Sequence, residues 1–361
     1  MRKYKFIISG GGTGGHIYPA IAIANNLKQT YNSIDILFVG ACGRMEMKKV
    51  PQNGYKIIGL WISGIKRKFD ISNLLVPFKI IHSLIKSCII LYNFRPDFVI
   101  GTGGFASGPI VFIASLFKVP TLIQEQNSFP GLTNRILSKK VDLISVAYDN
   151  MDKFFPQKKI IFTGNPVRLE IQNLEKSTEK ENFIKDRRKK LLIIGGSLGS
   201  REINNFISKN IQFFMKMDIY LIWQCGNYYY EDYKDYKSKN VDVIPYISDM
   251  AQAYKSADII VTRAGASVIS ELCIVGKPVI FIPSPNLAED HQTKNANLMA
   301  TRGAALMVNE FELKKEFFKV FKKVFNDNDL SRNLSKKIKS MAKPNATNEI
   351  VKNINLVLNE D

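Results

Sequence analysis

The run GGGTGGH, residues 10–16, sets five glycines, a threonine and a histidine between the apolar YKFIIS (4–9) and an amphipathic stretch. A glycine turn between a strand and a helix presents unpaired N–H groups and the positive end of the helix dipole, and phosphate or another oxyanion fits there. Three readings of the turn compete. Gly10, Gly12 and Gly15 satisfy G-x-G-x-x-G, but a dinucleotide site also calls for an acidic residue near the end of the second strand. That strand, IDILFVGACG, ends in Val39 and Gly40, with Asp35 at its start. A phosphate-cradling P-loop needs Lys and then Ser or Thr after the last glycine, where this chain has His16 and Ile17. What survives is a tight glycine turn closed by a histidine. In the first helical turn the dipole lowers an imidazole pKa and favours the neutral ring, which makes His16 a candidate general base. The competing reading is a histidine that caps or packs the turn.

The anion logic recurs further along. GGSLGS (195–200) opens a helix, and Ser197 is placed to donate to a phosphate oxygen. TRAGASVISELCIVGKPVIFIP (262–283) reads as strand, glycine turn, helix and strand, with Ala266 and Ser267 at the helix start. Glu271, about one turn in, can accept from vicinal hydroxyls such as those of a ribose. Otherwise it is a glutamate that complements the dipole. Asp327-Asn328-Asp329 is the one Asp-x-Asp of the chain. It follows an amphipathic helix in a polar stretch and reads as a turn, so no metal site is expected there.

These residues need elements to hold them. Apolar runs alternate with helical patterns in both halves, which predicts α/β architecture with parallel sheets. Strands are expected at YKFIIS, IDILFV, PDFVIG, TLIQE and DLISVA, and then at LLIIGG, IYLIWQCG, VDVIPY, DIIVTRAG and PVIFIP. Each series opens with strand, glycine turn and helix, at Gly10 and at Gly195. The expected division is a Rossmann-like domain over 1–165, a second over 166–345, and a C-terminal helix over 346–361 packing back on the first. The charged stretch 173–190 reads as a linker or exposed excursion. Ligands of such sheets sit beyond the carboxyl ends of the strands, where these turns lie.

The 361 residues suffice for two domains, and 45% hydrophobic content describes a globular chain. MRKYKFIISGGG meets glycine after a few apolar residues, so no signal peptide is expected. No stretch is expected to reach the roughly 20 apolar residues of a spanning helix, since PIVFIASLF is short and IIHSLIKSCIILY carries His82 and Lys86. Cys42, Cys88, Cys225 and Cys273 form no CxxC pair, which fits reduced thiols. Of the net charge of +19, residues 1–165 hold +13, which favours an anionic partner for that half. A Lys-, Asn- and Ile-rich composition offers a bland alternative.

In residues 64–94, Ile71, Leu74, Leu75, Phe78, His82, Ile85, Ile89 and Tyr92 share one helical face, as core packing predicts. Val76, Ile80, Ile81, Leu84, Ile90 and Leu91 are surplus to that stripe, and Lys66, Arg67, Lys68, Lys79 and Lys86 surround them. Apolar surplus beside a basic cluster suits an interfacial membrane contact, or burial under neighbouring loops. The Phe-rich helix at 312–325 is expected to place Phe317, Phe318, Phe321 and Phe325 in a core.

Together the motifs resemble the MurG family, the peptidoglycan N-acetylglucosaminyltransferases that convert lipid I to lipid II. GGGTGGHIYPA (10–20), GTGGFASGP (101–109), EQNSFPGLTNR (125–135), GNPVR (164–168), GGSLGS (195–200), YISDM (246–250), RAGASVISE (263–271) and EDHQTKNA (289–296) follow in the family's order over nearly the whole chain. Leu198, Ser200 and the SFPG after Asn127 vary from its pattern.

The resemblance implies a GT-B fold, with two Rossmann-like domains facing across a cleft and UDP-N-acetylglucosamine held mainly by the second. It implies that Ile247 binds uracil through its backbone and that Glu271 holds the ribose. The helix spanning Ala266, Ser267, Val268, Ile269 and Ser270 faces the diphosphate, with Ser197 close by. Gln292 meets the sugar, Asn127 and Arg168 meet the donor, and Thr13, Gly14 and Gly15 close on a diphosphate. His16 is the expected base, with acceptor phosphate binding as its alternative role. No cofactor or metal is expected. The expected partners are the donor, lipid I and an anionic membrane at the cytoplasmic face of the bacterial inner membrane, which favours the membrane reading of residues 64–94. Two other classes compete with this reading. A UDP-sugar epimerase would need carboxylates in the cleft, for which Glu125 and Glu271 are available. An RNA-binding protein would need aromatics among its basic runs, and YYYEDYKDY (228–236) is too acidic.

Overall fold

The computed structural model describes residues 3–64, 71–174, 188–196, 198–285 and 290–359. They form two compact units, Met1–Arg168 with Pro344–Asp361, and Leu169–Lys343.

In the first unit β1 (Tyr4–Ser9), β2 (Ile34–Ala41), β3 (Lys56–Leu60), β4 (Phe98–Gly101), β5 (Thr121–Glu125), β6 (Leu143–Val146) and β7 (Ile160–Phe162) pair in parallel. Their order is β3-β2-β1-β4-β5-β6-β7. Helices α1 (Gly14–Thr30), α2 (Glu46–Gln52), α3 (Val76–Phe94), α4 (Ser107–Leu116) and α5 (Leu132–Leu137) connect them. Because both faces are covered, the central strands carry buried apolar runs such as residues 6–8 and 98–100. Phe6 and Ile8 join α1 in one core, and Ile7 joins α4 in the other.

The second unit repeats the plan. It holds α6 (Leu169–Gln172), β8 (Lys189–Ile194), α7 (Arg201–Lys209), α8 (Ile211–Lys216), β9 (Ile219–Gln224), α9 (Tyr230–Tyr233), β10 (Val241–Ile244) and α10 (Met250–Ser256). There follow β11 (Ile259–Thr262), α11 (Ala266–Val275), β12 (Val279–Phe281), α12 (His291–Thr301), β13 (Leu306–Met307), α13 (Leu313–Asn326) and α14 (Asn328–Ser340). The strand order is β10-β9-β8-β11-β12-β13. Phe317 and Phe321 are fully buried, and Phe318 and Phe325 pack against the same core. The last helix, α15 (Ala346–Asn359), belongs to the first unit, where Ile350, Val351 and Ile354 complete the core of Phe6 and α1.

Three details depart from the sequence reading. Strands β3, β7 and β13 lie at sheet edges and are short and only partly buried, so they carry no long apolar run. Asp327 is not in a turn but caps α14, its Oδ1 accepting from Leu330 N at 2.9 Å, while Asp329 pairs with Arg332.

The third departure is the facing of α3. Its buried positions are Val76, Ser83, Ser87, Ile90 and Leu91. The regular stripe points outward, with Leu74 73%, Phe78 65% and Tyr92 72% exposed. Periodicity identifies an apolar face without saying which face the core takes. Here the small serines let α3 approach closely, Ser83 Oγ donating to Trp61 O at 3.1 Å and Ser87 Oγ to Ser83 O at 2.7 Å. By length and composition alone, Asn73–Phe94 is also apolar enough to cross a bilayer, contrary to the expectation of no such stretch.

Candidate active site

In the first unit the polar groups collect at the carboxyl ends of β1, β4 and β5. His16 stands in the first turn of α1, and Thr13 is the N-cap residue. His16 Nδ1 lies 3.0 Å from Gly11 O. A carbonyl only accepts, so this bond puts the proton on Nδ1 and the lone pair of the neutral ring on Nε2. Thr13 Oγ1 is 3.2 Å from the same nitrogen. The amides of Gly14 and Gly15 open the helix, where no intrahelical acceptor exists.

The second glycine loop lies directly on this ring. Gly104 has a φ of +77°, and a Cβ there would stand 2.3 Å from Gly11 O and 3.1 Å from His16 Nδ1. Only glycine allows that approach. Thr102 Oγ1 donates to His16 O at 2.8 Å, and Gln126 Nε2 donates to Thr102 O at 2.6 Å. Asn165 Nδ2 continues the chain to Gln126 O at 3.0 Å, three residues before Arg168.

Two buried carboxylates brace these loops. Glu46 accepts from Gly12 N at 3.0 Å and Ala41 N at 3.1 Å. The Gly12 amide, a sequence candidate for an anion, is therefore used internally. Glu125 accepts from Asn127 N, Asn127 Nδ2, Gly131 N and Asn134 Nδ2 at 2.8–3.1 Å, which fixes the turn carrying Asn127. Burial raises the Glu125 pKa, and the four donors oppose the rise.

In the second unit, α11 begins at Ala266. Ser267 Oγ is buried and has no hydrogen-bond partner among the described residues. Such an orphan costs about 1–3 kcal/mol unless a ligand satisfies it. Val268 packs against the core on the same turn, Ile269 lies within it, and Ser270 Oγ returns to Ala266 O at 3.1 Å. Glu271 is buried and accepts from Tyr254 OH at 3.3 Å. Ile247, just past β10, shares the apolar cluster of Tyr254 and Ile269. Gln292 Oε1 accepts from Ser284 N at 2.9 Å. Ser197 lies outside the described residues, as do Lys66, Arg67, Lys68 and Glu289.

Sequence reasoning missed Glu46, Gln126, Asn165 and Tyr254. Each acts through a tertiary partner far along the chain, so spacing carries no signal for it. Lys79 and Lys86, counted in the basic cluster around the apolar surplus, are each committed to a protein acceptor. Lys79 Nζ donates to Ser63 Oγ at 3.0 Å, and Lys86 Nζ donates to Gly59 O at 2.8 Å.

Comparison with known proteins agrees with this architecture. Models of the glycosyltransferase family 28 N-terminal and C-terminal domains match residues 6–146 and 190–353. A protein of Flavobacterium psychrophilum named UDP-N-acetylglucosamine--N-acetylmuramyl-(pentapeptide) pyrophosphoryl-undecaprenol N-acetylglucosamine transferase is 53% identical, covering 98% of both chains. One of the same name from Christiangramia forsetii is 50% identical, again over 98% of both. The crystal structure of Acinetobacter baumannii MurG superposes with a TM-score of 0.78 at 28% identity, covering 98% of this chain and 99% of that one. A Neisseria meningitidis UDP-GlcNAc 2-epimerase reaches 0.69 at 16% identity over 97% and 99%, a likeness of fold alone. These matches confirm the GT-B architecture of two Rossmann-like sheets. The chain belongs to the MurG group of glycosyltransferase family 28.

Proposed function

We infer that this chain transfers N-acetylglucosamine from UDP-N-acetylglucosamine to the 4-hydroxyl of the N-acetylmuramoyl-pentapeptide of lipid I, giving lipid II with inversion at the anomeric carbon. Full-length identity to transferases of that name carries the reading. In the chemical step the acceptor oxygen bonds to C1 while the bond from C1 to the β-phosphate oxygen breaks. The hydroxyl proton passes to His16 Nε2, the nitrogen left unprotonated by the bond to Gly11 O, and the electron pair leaves with UDP. The α11 N-terminus and the Ser267 hydroxyl stabilise the departing diphosphate, with no divalent cation required. Ile247 holds uracil, Glu271 the ribose, and Gln292 offers its NH2 to sugar hydroxyls. Thr13, Gly14, Gly15, Asn127 and Arg168 are the first unit's substrate-contacting groups.

The lipid acceptor calls for a peripheral position on the cytoplasmic face of the bacterial inner membrane. Support comes from the exposed face of α3, with Leu74, Phe78, Ile81, Ile85, Ile89 and Tyr92, and from the basic excess of the first half. Flotation with vesicles containing anionic lipid checks this. Phe78→Glu with Ile85→Glu is expected to lower the bound fraction about tenfold or more. An unchanged fraction overturns the assignment of this face.

The enzymatic reading is tested by incubation with UDP-N-acetylglucosamine and a lipid I analogue in EDTA, following UDP release and disaccharide. Transfer in EDTA is the expected result. An epimerised UDP-sugar in place of disaccharide overturns the reading, and transfer that stops in EDTA overturns its metal independence.

A further inference from the structure

Arg263 immediately follows β11 and lies three residues before Ala266, the first residue of α11. From position alone it is a cation aimed at the donor diphosphate. Its contacts say otherwise. Nη1 donates to Ile282 O at 3.0 Å, just past β12, and Nη2 donates to Ser200 Oγ at 2.5 Å. Nη2 also forms an ion pair with Glu310, which follows β13. The two side chains are only 12% and 8% exposed. A buried guanidinium neutralised by a carboxylate and committed to three protein acceptors is a structural clamp.

The clamp grips Ser200, the last residue of GGSLGS. Ser200 is the N-cap of α7, its Oγ accepting from Ile203 N at 3.4 Å. A Cβ on Gly195 would stand 2.4 Å from Ser200 N. Gly199 has a φ of +80°, and a Cβ there would stand 1.9 Å from Cys225 O. Gly195 is therefore packed against Ser200 and Gly199 against the residue after β9, so a shift of Ser200 is felt at both glycines. One guanidinium thus ties the loop after β8 to the segments after β12 and β13.

We propose that Arg263 and Glu310 are positioning residues for the donor, holding Ser200 and, packed against it, Gly195 and Gly199 where the diphosphate of UDP-N-acetylglucosamine is received. The pair touches no substrate itself, and Glu310 lies outside every motif of the chain. The proposal rests on the donor reading of the second unit.

The test is steady-state kinetics of Glu310→Gln, Arg263→Lys and Ser200→Ala, with the melting temperature of each measured separately and assays run well below it. Glu310→Gln is expected to raise the donor KM about tenfold while leaving kcat and the lipid I KM within about twofold, the signature of lost donor positioning. Arg263→Lys should do the same, because an ammonium keeps the ion pair but cannot span Ser200 and Ile282. Glu310→Asp should recover part of the loss. Ser200→Ala keeps the ion pair and raises the donor KM as well, which covers the case in which Glu310→Gln fails to fold. A lower melting temperature with an unchanged donor KM marks a merely structural pair and overturns the proposal. So does a donor KM that falls in Glu310→Gln, because the released guanidinium would then be binding diphosphate directly. A wild-type enzyme that turns over no UDP-N-acetylglucosamine overturns the donor reading instead.

Discussion

The two units use the same strand order and the same strand–glycine–helix openings, yet they prepare those openings in opposite ways. In the first, buried carboxylates hold the loops from below. Glu46 takes the Gly12 and Ala41 amides, Glu125 takes four donors, and Thr102 and Gln126 lace the loops together around His16. In the second, a buried cation does the holding, and the Ser267 hydroxyl is left without a partner among the described residues. A site that must aim a base benefits from loops satisfied within the protein. A site that must receive a diphosphate benefits from keeping a donor unsatisfied until the ligand arrives.

The contrast can be broken most sharply at His16. His16→Ala is expected to lower transfer about 10²–10⁴-fold with donor binding unchanged, as removal of a general base does. A variant that binds donor normally and transfers at the wild-type rate removes His16 as the base. Next is Glu46→Ala, which strands two amides beneath the first glycine loop and is expected to cost about 3 kcal/mol in denaturant unfolding of the first unit. A change below about 0.5 kcal/mol would mean that the loop holds itself. The smallest effect sharpens the other side. Ser267→Ala removes a buried orphan, so the ligand-free protein should be as stable as wild type or slightly more so. UDP affinity should fall about fivefold, the worth of one hydrogen bond near 1 kcal/mol. Equal affinity by calorimetry would show that the hydroxyl serves no ligand.

Much of this was legible in the chain. The central strands of both sheets read as continuous apolar runs because both faces of a parallel sheet are buried, and the glycine turns marked their carboxyl ends. The edge strands β3, β7 and β13 gave no such run. Periodicity misplaces the regular stripe of α3, which is exposed, and Val76, Ile90 and Leu91, which are buried. Ile80 and Ile81 are exposed as the surplus reading expects, and Ser83 and Ser87 lower the apparent hydrophobicity of the side that packs closest. Ile247 and Gln292 entered only through the family likeness. Glu46, Arg263 and Glu310 were silent, because a brace is defined by what it reaches, and Arg263 reaches Ser200 from 63 residues away.

The final helix carries a consequence for how the chain comes to be folded. Ile350, Val351 and Ile354 fill the hydrophobic centre built on Phe6, Ile8 and α1. During synthesis from the amino terminus, the unit that begins first therefore cannot finish first. Its interior stays open until residues 346–359 emerge from the ribosome, by which time the intervening unit is available whole. A stalled or shortened product releases a nascent chain with its opening half unsealed.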